Sequence, residues 1–155
     1  MKWSLYEGGI REPFLVRWPG HVPAGRTDST TVLGSVDLFP TLCALAGVAL
    51  PKDAGVDGLD ASGAFLGTPM SRGKPLFWEY GRQADYLFPG EPGARSPNLA
   101  IRDGKWKLLV NADGTGTELY DLAADSNETK NLAAERPDEA KRLRAAVLAW
   151  RQTVP

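Results

Sequence analysis

Hydrophobic positions along the chain change period three times. Residues 12–18, Glu-Pro-Phe-Leu-Val-Arg-Trp, form a short apolar run bounded by Pro13 and Pro19. Its length and the flanking prolines predict a buried strand rather than a helix. Residues 19–31 are rich in Pro, Gly, Ser and Thr and read as a surface loop. From Asp37 the period becomes helical: Leu38, Leu42 and Leu45 recur on one face, and Pro40 lies near the start. Asp37 is placed to cap the first turn and Gly47 to stop the helix in a left-handed conformation. Residues 48–75 read as loop, with Asp57-Gly58 and Thr68-Pro69 as turn signals, and a subdomain boundary falls near 72–75.

Beyond that boundary the pattern predicts four strands, at 76–80, 98–102, 105–110 and 117–121. Asp103-Gly104 joins the middle two as a two-residue hairpin with positive φ at both turn positions. The stretch 81–97 reads as a long loop. A closing helix begins at Pro137, with Asp138 and Glu139 at its positive end and a stripe of Ala140, Leu143, Val147 and Trp150. The fold class is α+β, a four-stranded antiparallel sheet with this helix packed on one face. Residues 1–75 form one part and 76–155 a small C-terminal subdomain.

Composition narrows the function classes. The chain has 155 residues, 43% hydrophobic and 24% charged, as in ordinary globular proteins. Eighteen Lys and Arg against nineteen Asp and Glu leave a net charge of −1, which offers no electrostatic draw for nucleic acid or an anionic membrane. No run of about 18 apolar residues predicts a membrane span. One cysteine excludes a disulfide framework, and one histidine excludes a multi-His metal site, so no metal ligands are assigned. The first nine residues lack an apolar stretch of signal-peptide length, which fits either a cytoplasmic protein or a chain lacking its natural beginning.

Few residues invite chemistry. Cys43 falls inside the helical pattern and reads as a small apolar group, and His21 reads as a surface imidazole. Asn127-Glu128-Thr129 matches a glycosylation acceptor, a triplet common by chance. Lys2, Glu7, Gly8, Gly9 and Arg11 form a denser group. Two glycines allow close backbone approach, and a lysine and an arginine flank a glutamate that can orient either. Such parts suit an oxyanion site, or an internal Glu7–Arg11 ion pair at a tight turn.

With this segment the chain resembles the arylsulfatase family. The resemblance is carried by Lys2 with Tyr6-Glu7-Gly8-Gly9-Ile10-Arg11-Glu12-Pro13, Val16-Arg17-Trp18-Pro19-Gly20, and Asp37-Leu38-Phe39-Pro40-Thr41-Leu42. It continues through Asp57-Gly58, Ala100-Ile101-Arg102-Asp103-Gly104-Lys105-Trp106-Lys107-Leu108, Glu118-Leu119-Tyr120-Asp121-Leu122, Asp125, Glu128, Asn131 and Leu132. The resemblance implies an alkaline-phosphatase-like architecture in which residues 1–75 end a large α/β domain and 76–155 form the small four-stranded domain. It carries a sulfate-binding lysine onto Lys2, where a cation would neutralise a sulfate oxygen, with Glu7, Gly8, Gly9 and Arg11 as a structural loop.

The family's nucleophile, a formylglycine made within a Cys-x-Pro/Ser/Ala-x-Arg motif, has no match here; Cys43 is followed by Ala-Leu-Ala-Gly. The resemblance places the calcium ligands and catalytic histidines upstream as well. The expectation is a C-terminal fragment of an arylsulfatase, acting on a sulfate ester only within an intact enzyme and inactive alone. The alternatives are a non-catalytic binding or assembly module and one half of a split sulfatase. Intact members are often exported or lysosomal. The apolar run at 12–18, stripped of neighbouring strands, predicts a homo-oligomer through the N-terminal segment.

Overall fold

The computed structural model describes residues 3–83 and 86–154. Its contacts divide the chain into two compact units, Pro13–Lys74 and a second made of Met1–Glu12 with Pro75–Pro155. The first twelve residues therefore belong with the sheet.

The chain opens with a single helical turn, α1, Glu7–Ile10. The Pro13–Lys74 unit carries α2, Leu38–Leu45, entered through a 3-10 turn at Ser35–Asp37, and the short α3, Ser62–Phe65. The expected strand at 12–18 is absent. Residues 11–18 adopt no regular structure, and Leu15 is 93% exposed. A strand needs a neighbour to pair its backbone, and the described residues supply none there.

Helix α2 corrects two further expectations. Asp37 makes no side-chain cap. Its buried carboxylate instead accepts the Gly34 and Leu59 N–H groups at 2.7 and 2.8 Å and pairs with Arg72. The buried face of α2 is Pro40 and Thr41, while Leu38 and Leu42 are exposed. Thr41 Oγ1 accepts the Ala61 N–H at 2.9 Å, so a hydrogen bond sets which face turns inward. The stop at Gly47 is as expected: φ is +67°, Val48 N–H reaches Cys43 O at 2.9 Å and Gly47 N–H reaches Ala44 O at 3.1 Å. These two bonds make a Schellman motif, which favours glycine at the left-handed position.

In the second unit, β1 (Leu76–Glu79), β2 (Leu99–Asp103), β3 (Trp106–Val110) and β4 (Glu118–Asp121) form an antiparallel meander in the order β1-β2-β3-β4. The β2–β3 register pairs Asp103 with Trp106, so the hairpin loop is Gly104-Lys105, one residue later than expected. Of these two only Gly104 has positive φ, at +58°. Positive φ at the first central position alone is the II′ pattern, which requires glycine there.

Helix α4, Pro137–Thr153, covers one face of the sheet. Leu99, Ile101, Leu108, Val110 and Leu119 pack there against Ala140, Leu143 and Val147. Trp150 stacks on Phe77 with centroids 5.0 Å apart. The opposite face carries Ala100, Leu109 and Tyr120 and is covered by the N-terminal segment through Leu5, Tyr6 and Ile10.

Candidate functional site

Alternation along the strands puts Arg102 and Lys107 on the face of Ala100 and Leu109, and Glu118 on the face of Tyr120. In an open sheet these side chains would meet water. Here the N-terminal segment lies over them and draws them into a buried polar network.

Lys107 is fully buried at 0% exposure. Its Nζ donates to Glu7 Oε1 at 2.9 Å and stands 2.9 Å from Glu128 Oε1. The Glu7 N–H donates to the other Glu128 oxygen at 2.6 Å, and Arg102 lies 3.8 Å from Glu7 Oε2. Two cations thus face two carboxylates with no net charge. Burial lowers the Arg102 pKa from its ordinary value; Glu7 opposes this shift and Arg11 adds to it.

A second cluster anchors the same segment. Tyr6 and Tyr120 both donate their phenols to Glu118 Oε2 at 2.9 Å. Burial, then the Glu118 carboxylate, raises both tyrosine pKa values well above the ordinary phenol range. Leu5 N–H donates to Ser96 Oγ at 2.8 Å.

Glu128 is held in an unusual conformation. Its φ is +56°, in the left-handed region that glycine favours. The Asp125 carboxylate keeps the loop in shape by accepting the Thr129 and Lys130 N–H groups at 2.7 and 2.8 Å. Asn131 Oδ1 ties the loop to β4 through Leu119 N–H at 3.0 Å. The spaced Asp125, Glu128 and Asn131 therefore form one apparatus whose product is a buried carboxylate aimed at Lys107 and α1.

Lys2 lies outside the described residues. Glu7, Gly8, Gly9 and Arg11 form α1 and its end. Gly9 N–H donates to Tyr6 O at 2.8 Å and Arg11 N–H to Glu7 O at 2.9 Å. The ion pairs of Glu7 run to Lys107 and Arg102, and Arg11 is exposed. Sequence reasoning missed Lys107 and Glu128. The available signal was a lysine between Trp106 and Leu108 in an otherwise apolar strand. Cys43 is a half-buried free thiol, and His21 is exposed and stacks on Trp18 at 4.1 Å. Among the described residues no group of three or more His, Cys, Asp or Glu could hold a metal ion, so the calcium implied by the resemblance finds no fitting ligand set in them. Among them, too, no helix is long and apolar enough to cross a membrane.

The network fixes Leu5, Tyr6 and Glu7 against the sheet.

Comparison with known proteins places the chain in a family. Residues 1–148 match the family model for the C-terminal region of N-sulphoglucosamine sulphohydrolase. Human arylsulfatase A is 35% identical over 152 residues, covering 84% of this chain and 28% of its own length. An N-acetylgalactosamine-6-O-sulfatase of Bacteroides thetaiotaomicron is 30% identical, covering 92% of this chain and 27% of its own. Among solved structures, a protein from a core Bacteroides thetaiotaomicron locus for metabolism of multiple glycosaminoglycans aligns with TM-score 0.68 and 26% identity, covering 94% of this chain and 30% of its own. BT4656, solved in complex with its substrate D-glucosamine-2-N,6-O-disulfate, aligns with TM-score 0.60 and 28% identity, covering 88% of this chain and 27% of its own. The chain thus spans under a third of each of these relatives, and it belongs to the sulfatase family as a sulfatase C-terminal domain.

Proposed function

We propose that the chain acts as the C-terminal part of a longer sulfuric ester hydrolase, and that its contribution to the reaction is to hold Lys2 where a sulfate oxygen develops charge. The observation that carries this reading is the buried Lys107–Glu7–Glu128 clamp, which ties the segment after Lys2 to the sheet. A lysine ammonium stabilises an anionic transition state only if its position is fixed beforehand. The formylglycine nucleophile and the calcium ligands belong, on this reading, to residues outside this chain. The substrate on this reading is a sulfate ester, which the relatives named arylsulfatase A and N-acetylgalactosamine-6-O-sulfatase support.

One lysine without nucleophile or acid cannot cleave a sulfate ester. The 155-residue chain is therefore expected to show no turnover of 4-nitrophenyl sulfate above background, with or without calcium. Turnover that survives purification and disappears in Cys43→Ala would overturn the reading. In the longer protein, Lys2→Ala is expected to lower kcat/KM by about 10²–10³, the usual loss on removing one preorganised electrostatic group. An unchanged kcat/KM would remove Lys2 from the reaction. Activity that appears only when a second chain bearing the formylglycine motif is added would favour the split-enzyme form of the same reading.

The Pro13–Lys74 unit also exposes Phe14, Leu15, Val16, Leu38, Phe39 and Leu42. Burying such exposed apolar side chains against a second copy recovers about 25 cal/mol per Å² before association costs. Homo-oligomerisation through this segment is proposed. Light scattering at tens of micromolar is expected to give a mass above that of the monomer, lowered by Leu15→Glu. A monomer unaffected by the substitution would refute it.

A further inference from the structure

Arg102 is poorly served by acids. Arg72, Arg142 and Arg151 each meet a carboxylate at 3.0 Å or closer. Among the described residues, Arg102 has only Glu7 Oε2 within 4 Å of its Nη1, and at 3.8 Å that oxygen is beyond hydrogen-bond reach. Its Nε–H finds Gly104 O at 3.4 Å, a long contact. The side chain is 24% exposed, so water satisfies the remaining donors only in part.

Its surroundings add positive charge. The β2–β3 register sets Lys107 directly opposite Arg102, and like charges in that relation repel. Lys107 takes up Glu7 Oε1 and Glu128 Oε1 at 2.9 Å each. The Arg11 N–H donates to Glu7 O at 2.9 Å, so Arg11 stands one turn from the residue that Arg102 faces. Arg11 is exposed and pairs with no carboxylate among the described residues. Burial lowers the Arg102 pKa and Arg11 lowers it further, as a like charge nearby does. Glu12 is exposed and forms no ion pair with either arginine among the described residues. Glu118 is engaged by the two phenols. Lys107, Arg102 and Arg11 therefore share two carboxylates, and the surplus lies at the solvent end of the network, on Arg11 and Arg102.

We propose that Arg11 and Arg102 together bind a small tetrahedral oxyanion, to which phosphate and sulfate bring the same chemistry. A guanidinium presents paired N–H donors that match two oxygens of such an ion. Two guanidiniums can engage three or four oxygens, more than a carboxylate has. The ion supplies the charge that Glu7 cannot, because Lys107 holds that carboxylate. Arg11 belongs to the segment that covers the sheet and Arg102 to the sheet itself, so a bound ion ties one to the other. Lifting the segment separates the two guanidiniums and releases the ion, and occupancy thereby stabilises the closed arrangement. The inference stands or falls apart from the hydrolase reading.

The test reads binding and amide exchange rather than turnover. The ¹⁵N-labelled 155-residue chain is titrated at neutral pH with sodium phosphate, with ionic strength held constant by sodium chloride. The Arg11 and Arg102 Nε signals are expected to shift and saturate at low millimolar concentration. Exchange of the Glu7 amide, which donates to Glu128, is expected to slow roughly tenfold at ten times Kd. Arg11→Ala removes an exposed side chain and is expected to weaken binding roughly tenfold, with the amide spectrum of the strands unchanged. Arg102→Lys keeps the charge but loses the fork, and is expected to weaken binding roughly threefold or more. Sulfate is the second arm and acetate the carboxylate control; either tetrahedral ion binding above acetate supports the site. Acetate binding as tightly as both, shifts reproduced by chloride alone, an unchanged affinity in Arg11→Ala or Arg102→Lys, or Glu7 exchange that ignores saturating phosphate and sulfate would each overturn it.

Discussion

Lys107→Met is expected to destabilise the sheet unit by about 3–5 kcal/mol, the cost of leaving buried charges without their partner. Lys107 is the hub of the network, and the side chains of Glu7 and Glu128 are only 8% and 3% exposed. Methionine fills a similar volume, so the loss isolates the charge rather than a cavity. Without the ammonium, two carboxylates face one another, with Arg102 reaching only Glu7, at 3.8 Å. The triple variant Lys107→Met, Glu7→Gln, Glu128→Gln is expected to recover much of the loss, because it removes the stranded charges as well. Urea unfolding followed by circular dichroism separates the two: a loss under about 1 kcal/mol for the single change would show that the cluster is not a clamp. The same substitution should free the segment that carries Lys2, which links the stability effect to the proposed function.

Gly58→Ala is expected to have the next largest effect, in the other unit. A Cβ at Gly58 would lie 1.9 Å from Val36 O and 2.8 Å from Asp37 Cα. Both obstacles are backbone, so no side chain can swing aside. Overpacking typically costs 1–3 kcal/mol, and about 3 is expected here because the displaced segment also carries Asp37. That carboxylate accepts Leu59 N–H at 2.8 Å and pairs with the buried Arg72. Pushing residues 57–59 away would strand both. Amide exchange across 34–61 is expected to accelerate while the four strands keep their protection. Unchanged exchange at Gly34, Leu59 and Ala61 would refute the argument.

In both units a buried carboxylate, Glu7 or Asp37, gathers backbone N–H groups or cations from distant parts of the chain. Glu7 joins partners about 100 and 121 residues away, through Lys107 and the Glu128 side chain. The residues that carry the family resemblance are, in large part, these connectors. Asp125, Glu128 and Asn131 shape one loop, and Gly104 supplies one turn. Their spacing reflects tertiary closure rather than a reacting centre.

What the sequence determined by itself was everything with a local cause. The four strands, α4 with its stripe of Ala140, Leu143 and Val147, the glycine stop at Gly47 and the existence of the β2–β3 hairpin follow from period, turn chemistry and capping. The turn was misplaced by one residue because Asp103 can either begin a loop or end a strand. Tertiary structure decided the rest. The apolar run at 12–18 stayed unpaired because a strand needs a neighbour. Helix α2 turned Pro40 and Thr41 inward because a hydrogen bond to Ala61 outweighed its leucines. Lys107 occupies a position that alternation assigns to water, and residues 5–10, arriving from the far end of the chain, covered it. The partner of Glu7 could not be found by proximity in sequence, since Arg11 is four residues away and Lys107 a hundred. Burial of a charge depends on what is brought over it, and no local pattern records that.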